Sequence, residues 1–530
     1  MRVAGGSATP AGRVGHVRPD HLVELDLAGY HDRRDLGHQS FRAACYAPFV
    51  GMSFDMNGVV SVCAFTRTTP IGQVGQDSLL DMWRGPTVRA LRRAVEHDDL
   101  THACTRCAEE IAGGNLTGSL AAGFDRFTAQ RHPPWPTRME FALSNACNLQ
   151  CVMCSGEFSS SIRSSREGLP PLPQRYGDQF LEELSPFLPH LEQARFLGGE
   201  PFLAEINFRI WERLIQLGLR VECNVTTNGT QWSPRVERVL ESLPFSIGIS
   251  LDGLRPETVE SIRVGVDHER LMGNVQRFIA YRDRTGASLS LTYCLMVQNV
   301  AEFVDFLLLA EELGCAVFVN TVRHPPANSP YLLGAEELAE VVAMLEAQRV
   351  AASSRLNRNL GVLDGQIERL RSQLADLRSG EPGSSAALER SARAVDLLDG
   401  LVDPSLSEVD LIAALRARSV DDRVDVVRAD DEDRVAVGDR FVELDLTDWV
   451  GRPASALHAE LADRLGRRLD LLASTARNGT VGRVMSFTAP GGSPTLVALL
   501  VRRGPAPWTT SRFAAVVERR EPPATPVRLR

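Results

Sequence analysis

Hydrophobic and polar positions follow a repeating order between residues 138 and 323. Short runs rich in β-branched and aromatic residues alternate with longer stretches whose apolar residues recur at helical spacing. The strand-like runs are MEFALS, ARFLGG, RVECNVTTNG, FSIGISLDG, SLSLTYCLM and AVFVNTV, and INFRIWERLIQLGL and AEFVDFLLLAEELG are typical of the helices between them. Six successive β–α units predict an α/β fold in which a parallel sheet curls into a partial (β/α)6 barrel.

Three of these runs alternate polar and apolar residues, so that their polar residues share one face. These residues are Glu222, Asn224, Thr226 and Asn228 in the third run, Ser246, Ser250 and Asp252 in the fourth, and Ser290, Thr292 and Cys294 in the fifth. Parallel strands that are buried on both sides are apolar on both faces. We therefore expect the polar face to line a lumen that holds a polar cofactor and substrate. A hydrogen-bonded barrel core is the alternative.

The chain divides at breaks in its composition. Before the barrel, a helix-like stretch, LLDMWRGPTVRALRRAVEH, lies among four cysteines, and RHPPWP then reads as a linker. The predicted segments are a mobile N-terminal segment (1–40), a cysteine-rich module (41–137), the barrel (138–332), a helical segment with a linker (333–400) and a C-terminal α+β domain (401–530).

Apolar residues in the helical segment recur at heptad spacing. They are Leu356, Leu360, Leu363, Ile367, Leu370, Leu374 and Leu377. This spacing predicts a helical hairpin that packs on its own domain, with a dimer seam as the alternative.

The C-terminal domain begins with the helix-like stretch SEVDLIAALRAR, and the stretch RFVELDLTDWVGRPASALHAELADRLG comes next. Two strand-like runs follow, GRVMSFTAP and TLVALLVRRG, joined by the turn GGSP. This unit resembles PAS-like sensor or binding folds. A packing or partner-binding domain is the alternative.

The composition of the chain excludes several classes of binding partner. The chain has 530 residues and a net charge of −9, so it lacks the cationic footprint that non-specific nucleic-acid binding requires. It contains no lysine, so lysine-based chemistry is excluded and all 58 basic residues are arginine. No apolar run approaches the roughly 20 residues of a membrane span, and the N-terminus lacks the apolar region of a secretory signal. We expect a cytoplasmic protein that binds neither nucleic acid nor membrane.

The stretch SNACNLQCVMC places Cys147, Cys151 and Cys154 at the spacing C-x3-C-x2-C, directly after the first strand-like run. In a reducing compartment such clustering indicates a metal site or catalysis rather than disulfides. Three thiolates ligate three irons of a [4Fe–4S] cluster and leave the fourth open. An open iron can chelate S-adenosylmethionine and deliver the electron that cleaves it to a 5′-deoxyadenosyl radical. A partial zinc site or chance clustering is the alternative.

Later strand-like runs end in GGEP, TTNG and SLDG, and IRVGVDHERLMGNVQRF follows the last of these. Together with NACNLQCVMC, this set resembles the radical S-adenosylmethionine (SAM) superfamily over roughly 138–325. The resemblance implies that the three cysteines hold the catalytic [4Fe–4S] cluster. It assigns the cofactor SAM to Gly198, Gly199, Glu200, Pro201, Asn228, Ser250 and Arg263. The family often has an aromatic residue just before the third cysteine, where this chain has Met153.

Four further cysteines precede the barrel: Cys45, Cys63, Cys104 and Cys107. The turn signal DMNG predicts a hairpin that brings Cys45 and Cys63 together. The pattern resembles the SPASM or twitch module, which binds an auxiliary [4Fe–4S] cluster, although that module normally follows the barrel. A closed zinc site is the alternative, because four thiolates satisfy zinc equally well.

The resemblance implies a radical SAM oxidoreductase or maturase that abstracts a substrate hydrogen, with an external electron donor such as flavodoxin or ferredoxin. A peptide or protein is the leading substrate class, and dehydrogenation or epimerisation of a small molecule or carbohydrate is the alternative. A non-catalytic metal-binding partner or sensor protein is a second alternative. Glu222 and Asp252 are candidate bases and Cys294 a candidate hydrogen-atom donor, although satisfied carboxylates and a buried thiol would explain all three.

Overall fold

The computed structural model describes residues 27–379 and six strands nearer the C-terminus. Within 27–379 it leaves out residues 68, 101–103, 113–119, 323–324 and 326–327. The six later strands fall between residues 424 and 519, and they are described by their backbone alone.

Nine strands form a single sheet. They are β1 (Gly51–Phe54), β2 (Val59–Ser61), β3 (Gly72–Gln73), β4 (Arg138–Phe141), β5 (Gln193–Phe196), β6 (Glu222–Thr227), β7 (Phe245–Ser250), β8 (Ser288–Leu295) and β9 (Ala316–Thr321). Their order is β3-β2-β1-β4-β5-β6-β7-β8-β9. The strands from β4 to β9 are mutually parallel, which confirms the predicted parallel sheet and all six predicted strands.

The cysteine-rich module contributes three strands to this same sheet. Strand β1 runs parallel to β4, while β1, β2 and β3 form an antiparallel meander. The predicted hairpin at DMNG is confirmed, and Gly58 supplies the positive φ of 84° that the turn requires. Because the meander extends the parallel sheet, the module and the predicted barrel share a continuous hydrogen-bonded frame.

Helices lie between most of the strands. They are α1 (Leu27–Asp32), α2 (Ala47–Val50), α3 (Leu79–Arg84), α4 (Pro86–Glu96), α5 (Thr105–Ala112), α6 (Ser160–Ser165), α7 (Asp178–Leu184), α8 (Glu205–Gln216), α9 (Pro234–Ser242), α10 (Pro256–Ile262), α11 (His268–Thr285), α12 (Phe303–Glu312), α13 (Ala335–Ala352) and α14 (Leu360–Ser379). The helix-like stretch at 79–97 is two helices, because Gly85 and Pro86 end one and begin the next.

The two faces of the sheet differ in polarity as expected. Buried and half-buried residues alternate along β6, β7 and β8, and the buried set packs with the helices in the main hydrophobic core. We refer to the opposite side as the polar face. Its residues include Ser53, Arg138, Glu140, Gln193, Arg195, Glu222, Asn224, Thr226, Ser246, Ser250, Ser290, Thr292 and Cys294.

Helix α1, which lies within the predicted N-terminal segment 1–40, packs on the cysteine-rich module. Tyr30 is fully buried, and its hydroxyl donates to the Ala44 carbonyl at 3.1 Å. His31 is also buried and lies 2.9 Å from Asp98. Tyr30 belongs to a second hydrophobic core formed within the cysteine-rich module, and His31 pairs with Asp98 of the same module.

Helices α13 and α14 pack on the main core, as predicted for the heptad residues. Leu356, Leu363, Ile367, Leu370 and Leu374 are all buried there. The turn between the helices also holds β9 at the edge of the sheet. The Asn359 side chain accepts from the Val317 amide at 2.9 Å and donates to the Cys315 carbonyl at 3.0 Å, in the manner of a neighbouring strand.

The C-terminal part of the chain forms a separate antiparallel sheet. Its strands are β10 (Val424–Ala429), β11 (Val435–Ala436), β12 (Asp470–Arg477), β13 (Thr480–Thr488), β14 (Pro494–Arg503) and β15 (Ser511–Arg519), in the order β11-β10-β15-β14-β13-β12. Strands β13 and β14 match the two predicted strands, and the other four were not predicted. The predicted helix of this domain lies outside the described residues.

Among the helices that the structure describes, none is long and apolar enough to cross a membrane.

We expect Asn359→Ala to destabilise the protein by about 2 kcal/mol, because the buried amide and carbonyl of the β9 edge would lose their partners. Urea unfolding measures this loss, and amide hydrogen exchange at Val317 should accelerate. Asn357→Ala is the matched control, since Asn357 lies in the same turn but is exposed. Equal stability of the two variants would show that Asn359 does not secure the edge.

Candidate active site

The loop after β4 carries Cys147, Cys151 and Cys154 and is held in place by main-chain hydrogen bonds. The Gln150 amide donates to the Val264 carbonyl at 2.8 Å, and the Val152 amide donates to the Ile262 carbonyl at 2.9 Å. The segment that follows α10 therefore lies alongside the cysteine loop.

The three thiols are close enough to interact electrostatically. Burial first, and then the like charges of the neighbouring Cys151 and Cys147, raise the pKa of Cys154 to about 12. Two donors face the sulfurs. Asn228 Nδ2 lies 3.9 Å from Cys147 Sγ, and Arg263 Nη1 lies 4.0 Å from Cys151 Sγ. Donors in these places favour the thiolate form that ligates metal.

The glycines after β5 allow close backbone approach to the cysteine loop. Gly198 has a φ of 111°, and a Cβ there would lie 2.6 Å from the Ser144 carbonyl oxygen. A Cβ on Gly199 would lie 2.4 Å from the carbonyl oxygen of Ala146. The Gly199 and Glu200 amides donate to these same two carbonyls at 2.9 and 2.7 Å. Only glycine fits here, so GGEP fixes the position of the cysteine loop.

The Glu200 carboxylate is buried and joins the end of β5 to the end of β6. One oxygen accepts from the Phe202 amide at 3.1 Å and from the Thr227 hydroxyl at 2.8 Å. The other accepts from the Asn228 amide at 2.7 Å. Burial raises the pKa of Glu200 to about 7, although these hydrogen bonds act in the opposite direction. The carboxylate that was predicted to meet the cofactor is thus also a structural acceptor.

Asn228 belongs to a small amide and hydroxyl network beside Cys147. Its Nδ2 donates to Asn148 Oδ1 at 3.1 Å, and its Oδ1 accepts from the Thr230 hydroxyl at 2.7 Å. This network ties the cysteine loop to the end of β6. The sequence analysis did not single out Asn148 or Thr230.

A buried ion pair lies on the other side of the cysteines. Arg263 Nη2 lies 2.7 Å from Asp252 Oδ2, and both side chains are almost fully buried. Burial alone would lower the pKa of Arg263, but the charges of Asp252 and Cys151 hold it above its usual value. Arg263 Nε is buried without a hydrogen-bond partner among the residues described. The Cys294 amide donates to Asp252 Oδ1 at 2.7 Å, so Cys294 lies at this same end of the sheet.

The four cysteines of the N-terminal module surround one cavity. Cys45, Cys63, Cys104 and Cys107 all line it. The remaining lining is apolar apart from Thr66, whose hydroxyl lies 3.7 Å from Cys63 Sγ. Within the described residues, no three Cys, His, Asp or Glu side chains are grouped as tightly as a single metal ion requires. A cubane cluster differs in that each thiolate binds a separate iron.

The two cysteine sites lie toward opposite ends of β4. Arg138 begins the strand, and its guanidinium lies 4.5 Å from the centroid of the Phe124 ring, which lines the four-cysteine cavity. The strand ends at Phe141 and leads into the loop with the three cysteines. Glu222 pairs with Gln193 at the amino end of the sheet, so it lies apart from Asp252 and Cys294.

Comparisons with known proteins agree with these two sites. Residues 141–310 match the radical SAM superfamily, and residues 45–108 match the iron–sulfur cluster-binding domain SPASM. The chain carries a radical SAM domain preceded by an SPASM domain. The unusual order of the two domains is therefore confirmed, and membership of the superfamily indicates an enzyme.

The similar curated proteins each match over about a third of this chain. Molybdenum cofactor biosynthesis protein 1 of Bos taurus is 27% identical over 39% of this chain and 32% of its own length. The probable GTP 3′,8-cyclase of Methanocaldococcus jannaschii is 23% identical over 33% of this chain and 55% of its own length. The AdoMet-dependent heme synthase of Methanosarcina barkeri is 26% identical over 34% of this chain and 49% of its own length. The chain thus spans between a third and about half the length of these relatives.

Partial similarity to solved structures is also present. Streptococcus suis SuiB bound to precursor peptide SuiA is 14% identical, with 48% of this chain and 61% of that chain covered at a TM-score of 0.30. Native anSMEcpe with bound AdoMet is 18% identical, with 41% of this chain and 61% of that chain covered at a TM-score of 0.31. At these scores the superpositions carry no functional argument.

The residues present fit the cofactors that these two domains imply, which are [4Fe–4S] clusters and SAM. At the radical SAM domain, three neighbouring thiols face buried donors, and Arg263 Nε has no partner within the described part of the chain. At the SPASM domain, four thiols line one apolar cavity. The SPASM match favours iron–sulfur over the zinc alternative.

We expect Glu200→Gln to destabilise the protein by about 1–3 kcal/mol, because an amide NH2 would face one of the donors that Glu200 now accepts. Anaerobic urea unfolding provides the measurement. Glu205→Gln is the control, since that carboxylate is 67% exposed and its pairing with Arg235 lies at the surface. If Glu200→Gln unfolds at the wild-type urea concentration, the carboxylate does not link β5 to β6.

Proposed function

We propose that this protein is a radical SAM enzyme that abstracts a hydrogen atom from a peptide or protein substrate, assisted by an auxiliary [4Fe–4S] cluster. The observation that carries this proposal is the group of three neighbouring thiols at the carboxyl end of the parallel sheet, with Arg263 and Asn228 facing two of the sulfurs. In our proposal, the sheet curls into a partial barrel whose interior is the polar face.

The chain's own residues would bind and orient the cofactors. Cys147, Cys151 and Cys154 hold the catalytic cluster, which when bound supplies the electron that cleaves SAM. Gly198 and Gly199 hold the cysteine loop by close backbone approach, and we propose that they also contact the methionine end of SAM. Glu200 and Pro201 complete that cradle.

Arg263, Asn228 and Ser250 are proposed as further contacts to SAM. The Arg263 guanidinium is positively charged, partly unpaired and next to Cys151, so it suits the methionine carboxylate. Asn228 is fixed by Asn148 and has its amide beside Cys147.

The SPASM domain lies where it can exchange electrons with a substrate on the polar face. Arg138 separates the four-cysteine cavity from that face, since it stacks on Phe124 and pairs with Glu140. We propose that Cys45, Cys63, Cys104 and Cys107 hold an auxiliary cluster that accepts an electron from the oxidised substrate, and that flavodoxin or ferredoxin supplies the catalytic electron. Asp252 and Cys294 lie near the catalytic site and remain candidates for proton or hydrogen transfer, whereas Glu222 lies at the other end.

A peptide substrate is favoured by the edge of the sheet. Strand β9 is the last strand, and on it Phe318 is 64% exposed and Asn320 is also exposed. Phe318 is level with Thr292 of β8 and so lies on the polar face, where an exposed aromatic side chain provides a contact for a peptide side chain. A small molecule is the alternative, since several similar proteins are named GTP 3′,8-cyclases.

We propose that the C-terminal sheet is a PAS-like sensor or binding domain. The support is its strand order, in which the last strand, β15, returns to pair with the first, β10. We also propose that the protein acts in the cytoplasm.

We expect Cys151→Ala to abolish reductive cleavage of SAM, because the catalytic cluster would lose one of its three ligands. The measurement is 5′-deoxyadenosine formed by anaerobically reconstituted protein with dithionite. Cys223→Ala is the control, since Cys223 is fully buried on the opposite face of β6. Cleavage by Cys151→Ala at the wild-type rate would contradict the proposed role of the three cysteines, whereas absence of 5′-deoxyadenosine with the wild-type protein would favour a non-catalytic metal-binding protein.

The double variant Cys104→Ala/Cys107→Ala should retain SAM cleavage but fail to turn over substrate. Its iron content should fall from about eight to about four atoms per chain, since each cubane cluster holds four. Iron analysis and the 5′-deoxyadenosine assay test this together. An unchanged iron content would show that the four-cysteine cavity does not hold the auxiliary cluster.

A further inference from the structure

The polar face carries a row of charged and polar side chains that the proposed cofactor chemistry does not use. Five neighbouring strands contribute to it in register: Ser53, Glu140, Arg195, Asn224 and Ser246. Arg138, the residue beside the four-cysteine cavity, precedes Glu140 by two residues on β4 and therefore lies next to this row on the same face. Burying charged side chains on the inner strands of a sheet costs free energy. Their presence here therefore requires a structural or functional explanation.

Glu140 is shared between two arginines. Its Oε2 lies 3.3 Å from Arg195 Nη1 and 3.5 Å from Arg138 Nη2, and its Oε1 accepts from the Ser53 hydroxyl at 3.3 Å. One carboxylate therefore pairs with two guanidinium groups. The pair formed by Arg126 and Glu222, 2.5 Å apart, is balanced in itself. In this group, three arginines face two carboxylates, which leaves one positive charge.

The two arginines that share Glu140 differ in their exposure to solvent and in their contacts with other residues. The Arg138 side chain is only 11% exposed, donates from Nε to Gln193 at 2.9 Å and stacks on Phe124. The Arg195 side chain is 35% exposed. Its guanidinium donates from Nη1 to Glu140 at 3.3 Å. Arg195 thus has both the exposure and the donors to bind a further acceptor.

We propose that Arg195 anchors a carboxylate-binding subsite on the polar face, and that the substrate carries a carboxylate there. This inference rests on the proposed function and names its substrate class more closely. A guanidinium presents paired N–H donors that match a carboxylate in a bidentate arrangement. The single excess positive charge suits a monoanion, whereas a di- or triphosphate would meet repulsion from Glu140 and Glu222.

The subsite would also set the direction of the substrate. Strand β5 carries Arg195 near its middle and leads directly into Gly198 and Gly199 beside the cysteine loop. A substrate anchored by its carboxylate at Arg195 would extend along the polar face toward the three cysteines. Its anchored end would lie nearer the four-cysteine cavity.

The test measures binding of small carboxylates to the full-length, anaerobically reconstituted protein by ligand-observed NMR. N-acetyl-L-glutamate methylamide represents an acidic side chain, N-acetylglycine represents a free carboxyl terminus, and N-acetyl-L-glutamine methylamide is the neutral control. We expect saturable binding of at least one acid and about tenfold weaker binding of the amide. Equal binding of acid and amide would overturn the proposal, as would tighter binding of inorganic triphosphate than of either acid.

Two variants with opposite expected effects separate binding from folding. Arg195→Gln should weaken binding of the acid about tenfold, because the guanidinium is lost. Glu140→Gln should strengthen it, because removal of the shared carboxylate frees Arg195 and leaves a second positive charge. A purely structural role would weaken binding in both variants and would contradict the proposal.

Arg209→Gln is the matched control, since Arg209 is 37% exposed and pairs with Asp178 away from the polar face. It should bind the acid as wild type does. The same samples are assayed for 5′-deoxyadenosine. Absence of SAM cleavage with acid binding intact would refute the proposed function alone. Normal cleavage in Arg195→Gln with unchanged acid binding would refute the subsite alone.

Discussion

The arrangement depends on one constraint: three thiols from a short loop must be held together while room is kept beside them. Main-chain hydrogen bonds on two sides meet this constraint. Gln150 and Val152 pair with the segment that follows α10, and Gly199 and Glu200 pair with the start of the loop. Both neighbours approach the loop through their backbones, and the donors Asn228 and Arg263 lie beside two of the sulfurs. The buried carboxylate of Glu200 then joins β5 to β6, so this loop is tied to the parallel sheet itself.

The N-terminal module is positioned by the strands that it contributes to the shared sheet. In sequence the module precedes the radical SAM domain, but in space β1 lies directly against β4. The four-cysteine cavity therefore lies near the start of β4, and the three cysteines lie after its end. Arg138, Glu140 and Arg195 occupy the polar face between the two sites, where charge can act on both a substrate and a cluster.

Much of this could be predicted from local patterns. Alternation in β6, β7 and β8 fixed both the strands and the polar face, since the side-chain period of a strand is two. The cysteine spacing and GGEP located the candidate site because glycine and thiolate requirements are local. Glu140 and Arg195 were missed, although R-M-E-F and Q-A-R-F alternate in the same way over only four residues. The Glu200 and Asn148 hydrogen bonds join distant segments, which no local pattern records.

The most direct test of the central claim is electron paramagnetic resonance of the reduced Cys104→Ala/Cys107→Ala variant, in which only a cluster at the three cysteines contributes. The account predicts a [4Fe–4S] signal whose g values shift when SAM is added, because the cofactor binds to the iron that has no protein ligand. A signal that is unchanged by saturating SAM, or zinc in place of iron at these cysteines, would contradict it.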